Sequence, residues 1–406
     1  MKKVIFIPAF HSLKDPILDG LLLVYLKAMA EPFIEFHLTT LEQDKFQLTG
    51  DEFIQEKIML EKYNIHWKPI KYRSGGMFIL FKKLWNYLLT LLYAIKINRQ
   101  NRLTLVLGFT SLSGAMAYLT SLIVRKPLAI YCFEPHSLYM LDFKVWNRKS
   151  LNFIILNWFE KKQVQHATSI VVPNQFGEKL VRDWGRKGEI FKVPVSVNES
   201  GFKFDPSRRN YLRDNMKVSS RFVFLYLGKF SGIYYSVGEI AIFYKSILNL
   251  MPNAFFHVIS PNDGEQIESA FLKAGLDKSD FHISGVVGLS EISGFISAAD
   301  IGVLAVPPLP SQVYRTPIKT ANYLLCGLPY VTNRGVADDD IVAEQYKIGV
   351  VIKDLTLESA ESCVAQIENL MKEPIDELRD KCRKVAVDLR GLKNTTKVLN
   401  QIILSS

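Results

Sequence analysis

Short apolar runs alternate with amphipathic, helix-like stretches along almost the whole chain. That pattern predicts parallel sheets covered by helices. In the first half the runs fall at 3–9, 34–38, 103–109, 128–133 and 168–173; in the second half they fall at 222–227, 254–259, 281–283, 301–306, 328–332 and 349–352. Each set is expected to build its own doubly wound, Rossmann-like sheet. The polar stretch Asn198–Ser220 holds no convincing strand and reads as the linker. The expected division is an N-terminal domain 1–205, a C-terminal domain 206–385 and a last segment, 386–406, inside a helical pattern that runs Ile375–Leu404 and is expected to pack back towards the first domain.

Two segments invite membrane readings. Lys2 and Lys3 followed by Val4–Phe10 imitate a signal peptide, but the apolar run is short and is followed by His11, Lys14 and Asp15, so a first strand accounts for it better. Residues 103–124 carry no charge and are just long enough to span a bilayer. Their many Ser and Thr residues, with Gly108 and Gly114, fit a strand, a small-residue turn and a buried helix over 113–124 instead.

The composition changes this picture in two ways. Of 406 residues, 48% are hydrophobic and 22% charged, which excludes a disordered chain. The four cysteines (132, 326, 363 and 382) stand far apart without CxxC spacing, which excludes a disulfide scaffold and fits a reducing compartment. Residues 1–205 hold 28 Lys and Arg against 18 Asp and Glu, which accounts for the whole net charge of +10. The first half is therefore expected to meet something anionic. There is no nucleic-acid recognition motif, and the basic residues interleave with aliphatic ones, so no nucleic-acid partner is expected. Residues 71–102, rich in aromatics, leucine, lysine and arginine, leave two readings open: an amphipathic helix in an anionic membrane interface, or a helix packed on the sheet with snorkelling lysines.

Ligands of doubly wound sheets bind outside the carboxyl ends of the strands, so the loops there carry the candidate chemistry. Thr316-Pro317-Ile318-Lys319-Thr320-Ala321-Asn322-Tyr323 reads as a helix start, with Thr316 as N-cap and Pro317 as first helical residue. Its free amides and dipole make an anion site, and Gly327 and Pro329 end the helix. Tyr226-Leu227-Gly228-Lys229-Phe230-Ser231-Gly232 runs from a strand into a Gly-containing loop, where Lys229 offers a point charge and Ser231–Gly232 a close backbone approach. Phe133-Glu134-Pro135-His136-Ser137 follows another strand. Asp338, Asp339 and Asp340 read as a helix cap with first-turn acids in preference to a metal site. The remaining histidines (11, 37, 66, 166, 257 and 282) lack ligand spacing, and no metal ligand is assigned.

The Thr316–Val331 stretch resembles the donor-binding signature of family 4-type glycosyltransferases of the GT-B fold. In that family a Ser/Thr-Pro-x-Lys-x-x-Glu-Tyr-x-x-x-Gly-x-Pro-Val run holds a nucleotide sugar. Two glutamates of the pattern are replaced here, by Asn322 and by Tyr314. The resemblance implies two Rossmann-like domains facing across a cleft. It implies a nucleotide-diphosphate sugar, a UDP-sugar in preference to a GDP-sugar, held by Gly228, Lys229, Ser231, Gly232, Tyr314, Thr316, Pro317, Lys319 and Asn322. His136 and Glu134 would act at the reacting sugar, and Phe10, Ser12 and Ser111 would wall the acceptor site. It further implies retention of anomeric configuration, no bound metal or other cofactor, and a saccharide or lipid-linked saccharide acceptor in surface-polysaccharide assembly. The expected location is the cytoplasm, peripheral at the inner face of the plasma membrane. The two replaced glutamates motivate an alternative, a catalytically degenerate homologue that binds sugar nucleotides or serves as a scaffold.

Overall fold

The computed structural model describes residues 2–73, 79–131, 133–232 and 234–406. Residues 74–78 of the basic aromatic stretch, Cys132, and residue 233 of the glycine loop lie outside the described residues. The chain divides into two units, Met1–Val195 with Leu392–Ser406, and Ser196–Gly391.

The first unit holds seven parallel strands: β1 (Lys3–Ala9), β2 (Ile34–Glu42), β3 (Ile65–Lys71), β4 (Leu105–Phe109), β5 (Leu128–Tyr131), β6 (Ser169–Val172) and β7 (Glu189–Lys192). They are ordered β3-β2-β1-β4-β5-β6-β7. Two of them, β3 and β7, escaped the sequence reading, and both are edge strands. An edge strand buries less, so its pattern can carry Lys68, Pro69 and Lys71, or the exposed ends Glu189 and Lys192, where a central strand needs unbroken apolar residues. Pro8 is accommodated in central β1 because the ladder to β4 pairs only Ile5 and Phe6, so no β4 bond needs its missing N–H.

The uncharged run folds as β4 and the helix Thr110–Val124, which begins at once, without the expected turn. Gly108 and Gly114 are not breakers but contact points. A Cβ on Gly114 would fall 1.8 Å from Gln163 Oε1, and one on Gly108 would fall 2.7 Å from the Gly114 Cα. No helix among the described residues is long and apolar enough to cross a membrane.

The helix Ile79–Asn101 packs against the helix Thr110–Val124, β3 and β1. Asn86, Thr90, Ala94 and Ile97, spaced three or four apart, form its buried face, while Phe81, Leu84, Trp85, Leu88 and Leu92 remain exposed, Phe81 by 70%. The closing helix Leu392–Ser405 packs within the first unit against the helix Leu23–Ala28 and β1, and its Thr395 hydroxyl meets Tyr131 at 3.2 Å.

The second unit holds β8 (Phe222–Leu227), β9 (Ala254–Ile259), β10 (Phe281–Ser284), β11 (Ile301–Val303), β12 (Tyr330–Asn333) and β13 (Gly349–Ile352), ordered β10-β9-β8-β11-β12-β13, again all parallel. The stretch expected to be a linker instead carries the helix Pro206–Asn215, started by an Asp205 side-chain cap with Pro206 in the first turn. Arg209 and Arg213 of this helix pair with Asp300 just before β11, at 2.6 and 3.0 Å, and so bind it to the sheet. The expected Ile375–Leu404 helix is two helices, Ile375–Arg390 and Leu392–Ser405, broken at Gly391. A single side chain at Gly391 would collide with Glu199 and with the Val387 carbonyl.

Candidate functional site

At the carboxyl end of β8 the chain turns sharply through Gly228, whose φ is +141°. The turn is stiffened by Tyr226, whose ring stacks on Phe230 at 4.4 Å and whose hydroxyl donates to the Lys229 carbonyl. A Cβ at Gly228 would lie 2.3 Å from Lys319 Nζ. Glycine is therefore required twice here, for the backbone angle and for the approach of the lysine.

Lys319 lies in the first turn of the helix Ile318–Leu325. The cap of this helix is Pro317, not Thr316, and no side chain bonds to its first amides. Thr316 is buried just before it. The shift of one residue leaves the amide-rich end without a side-chain cap, which suits an anion better than the expected threonine cap would.

The Lys319 ammonium nitrogen is buried without a hydrogen-bond partner among the described residues. It sits 5.1 Å from the Tyr226 ring centre and 4.9 Å from that of Tyr234. Burial, reinforced by the nearby Arg315 cation, pulls its pKa down to about 7. Three residues further on, along the same helix face, the Asn322 amide oxygen is also buried and unpartnered, as is Gln312 Nε2. A cation, an acceptor and a donor thus stand unsatisfied in one unit. Unpaired buried groups of this kind cost stability and are expected where a ligand supplies the partner.

The other predicted donor residues fall around this cluster with different characters. Lys229 is exposed, so the structure gives the buried-cation place to Lys319 and not to Lys229. Ser231 and Gly232 are exposed and both take positive φ, +66° and +67°, in a turn closed by the Ser231 amide on the Tyr235 carbonyl at 3.0 Å. Tyr314 ends the short turn Pro310–Tyr314 and is half-buried.

The three aspartates divide their work. Asp340 accepts from the Gly335 and Ile341 amides at 3.0 and 2.9 Å, as a first-turn acid does. Asp339 is buried and pairs with Arg390 at 2.8 Å while accepting from the Thr320 hydroxyl at 2.7 Å. Arg390 also donates to the Pro317 carbonyl at 2.9 Å. The pair braces both the cap and the first turn of the Lys319 helix, a role that spacing did not disclose. Asp339→Ala, which strands the Arg390 cation, is expected to cost about 3–5 kcal/mol, read as a lower midpoint in chemical denaturation.

In the first unit the predicted catalytic residues follow β5. Glu134 accepts from the Tyr139 hydroxyl at 2.9 Å. His136 opens the helix His136–Asp142, edge-on to Trp146 at 6.1 Å. Burial, with a lesser contribution from His11, lowers its pKa, which favours the neutral imidazole. His11 is held by Asp15 at 3.3 Å.

One residue that the sequence reading missed underlies this site. Glu160, fully buried on the helix Leu151–His166, accepts from the Ser137 amide at 3.1 Å and from the Ser137 hydroxyl. Burial raises its pKa to about 7, against opposing hydrogen bonds from Ser137, from Ser111 and from the His136 amide. It replaces the missing cap of the His136 helix, whose own cap position is Pro135. Its place in a stretch continuing as Lys161-Lys162 reads as a solvated face, so only packing reveals it.

The predicted acceptor residues differ among themselves. Phe10 is half-exposed and edge-on to Tyr72 at 5.6 Å, a surface that a ligand can touch. Ser12 is buried, accepts from the Gln43 amide at 2.8 Å and donates to the Leu41 carbonyl. Ser111 is buried beside Glu160, and its carbonyl accepts from Gln163 at 3.0 Å. Both serines serve the framework, because their hydroxyls are already spent on it.

A family model described as glucosyltransferase 3-like, C-terminal domain, matches residues 311–402, the span that contains Thr316, Lys319 and Asn322. No curated protein matches the chain at a significant level. Among solved structures, HepE of Anabaena in complex with UDP-glucose is similar at 15% identity, with all of both chains covered and a TM-score of 0.70. Sucrose-phosphate synthase of Thermosynechococcus elongatus is similar at 14% identity, also with all of both chains covered, and a TM-score of 0.71. WaaG, a glycosyltransferase involved in lipopolysaccharide biosynthesis, is similar at 13% identity, with 99% of this chain and 100% of that one covered and a TM-score of 0.64. At such identities the likeness speaks to architecture. Two Rossmann-like parallel-sheet units of seven and six strands, matched end to end by these proteins, give the chain the GT-B fold of glycosyltransferases.

Proposed function

We propose that the chain is a family 4-type glycosyltransferase that moves a sugar from a UDP-sugar to a saccharide acceptor with retention of configuration, the acceptor being lipid-linked and destined for a surface polysaccharide. The observation that carries this reading is the unpartnered Lys319 ammonium in the first turn of the Ile318–Leu325 helix, pressed against Gly228. A diphosphate is the ligand that would satisfy a buried cation and a set of helix-start amides together. Negative charge grows on the diphosphate as the glycosidic bond breaks, so the same groups would stabilise the leaving group more than the ground state. Asn322, in place of a carboxylate, would hydrogen-bond the nucleotide ribose through its unpartnered oxygen.

In the first unit, His136 and Glu134 would position the reacting sugar and Phe10 would contact the acceptor. Glu160 is a positioning residue in this scheme, since it acts through the His136 helix. No metal takes part in the proposed transfer; Lys319 and the helix start supply the positive field. The exposed apolar stripe Phe81, Leu84, Trp85, Leu88 and Leu92, with Lys82 and Lys83 beside it, supports a peripheral seat on the anionic inner face of a membrane.

The reading is tested by titrating the intact chain with UDP- and GDP-sugars and following donor consumption by NMR. Binding of a UDP-sugar, with slow hydrolysis to a sugar of the donor's anomeric configuration, is expected. Binding with no turnover under any acceptor would favour the degenerate homologue that Asn322 and Tyr314 suggest.

A further inference from the structure

His37 and His66, which lie 29 positions apart in the sequence, are register partners across the parallel β2 and β3 ladder. Their rings stack with centres 5.0 Å apart and planes 28° apart. Glu35 precedes His37 by two residues on β2 and so projects from the same face. Its Oε1 lies 2.5 Å from His37 Nε2 and 3.7 Å from His66 Nε2. One ligand atom from each of the three side chains falls within 4.8 Å of the others. The pairing of β3, the edge strand that the sequence reading missed, brings together histidines that lack ligand spacing along the sequence.

We propose that Glu35, His37 and His66 bind a divalent transition-metal ion, of which Zn²⁺ is the best fit. Two imidazoles and one carboxylate are a borderline donor set that suits zinc, with water completing four-coordination. The metal takes the place of the proton that His37 Nε2 and Glu35 Oε1 otherwise share.

The surroundings support the assignment. The other ring nitrogen of His37 faces the Tyr93 hydroxyl at 3.4 Å, and Asn101 Nδ2 donates to Glu35 Oε1 at 2.8 Å, the kind of outer contact that orients metal ligands. His66 has 43% of its side chain exposed, which leaves a route for the ion and a place for water. Lys2 pairs with the second carboxylate oxygen, Oε2.

The three residues lie at the amino ends of β2 and β3, the opposite end of the strands from the loops that carry His136. A metal here does not take part in transfer. It fastens β3, which is hydrogen-bonded only to β2, onto the sheet.

The test uses the untagged full chain after exposure to a chelator. It is titrated with Zn²⁺ against a chromophoric competitor and, separately, with Co²⁺ while visible absorption is followed. One equivalent of Zn²⁺, a rise in melting temperature on loading, and the strong visible bands of four-coordinate Co²⁺ are expected. His66→Ala, at a half-exposed position that should fold normally by circular dichroism, is expected to lower Zn²⁺ affinity by at least about a hundredfold and to abolish the melting shift. Tyr93→Phe is expected to lower affinity about tenfold. Absence of stoichiometric Zn²⁺ uptake by the wild-type chain, or uptake that His66→Ala leaves unchanged, would overturn the proposal.

Discussion

Lys319→Met is expected to bind UDP-sugars roughly ten- to a hundredfold more weakly than the wild type while melting at the same temperature or higher. The two effects should part because they have different origins. In the free chain the Lys319 nitrogen is buried without a partner, with Arg315 close by, so its charge opposes folding and its pKa is drawn down to about 7. Methionine fills a similar volume without that cost. In the complex, the lysine would gain a charge-assisted bond to the diphosphate worth about 1.5–3 kcal/mol, which corresponds to the stated loss of affinity. Lys229→Ala should weaken binding far less, because that side chain is exposed. Calorimetric titration and thermal melting of the three proteins measure both effects. A Lys319→Met chain that binds normally, or that simply unfolds, would count against the assignment.

Glu160→Gln is the second large effect, and it is read through pH. Folding raises the Glu160 pKa from 4.5 to about 7, so the native state holds the proton more tightly than the unfolded chain. The associated stability is complete below about pH 4.5 and is lost as the pH rises through 7. A shift of this size is worth about 3 kcal/mol once the group is fully ionised. Asp339, also raised to about 7, adds a slope of the same sign, and His257, lowered to about 3 by burial, adds one of the opposite sign at acid pH. The informative quantity is therefore the difference between wild type and variant. Glutamine still offers an acceptor to the Ser137 and His136 amides. The variant should thus gain on the wild type by about 3 kcal/mol between pH 5 and pH 8. A constant difference across that range would mean that Glu160 titrates normally and does not carry its proton in the folded state.

What the sequence disclosed follows from where each residue's constraint lies. Central parallel strands must be apolar throughout, so β1, β8 and β9 appear at their true limits in the hydrophobic pattern. Edge strands have only one paired side, and β3 and β7 were hidden by their lysines, Pro69 and Glu189. The Ile318–Leu325 helix was legible because its dipole and glycine requirements are local, although its cap is Pro317 and not the expected Thr316. The choice between Lys229 and Lys319 was not, since both have suitable chemistry and only the tertiary fold buries one of them. Glu160, Asp339 with Arg390, and Glu35 with His37 and His66 were illegible for a shared reason. Each is a contact between segments far apart in the chain, and nothing local distinguishes a buried carboxylate from a solvated one. Ser12 and Ser111 show the converse, hydroxyls that suit a binding site by position but are engaged elsewhere, Ser12 by backbone groups and Ser111 by Glu160.

The central claim is that Lys319 receives a diphosphate, and proton-linked binding tests it most directly. At pH 8 a lysine with a pKa of about 7 is mostly neutral in the free chain and must take up a proton when an anion binds against it. Titration of UDP at pH 8 in two buffers of different ionisation enthalpy should show uptake approaching one proton per site, absent in Lys319→Met. Binding with no proton uptake, or uptake that the variant retains, would contradict it.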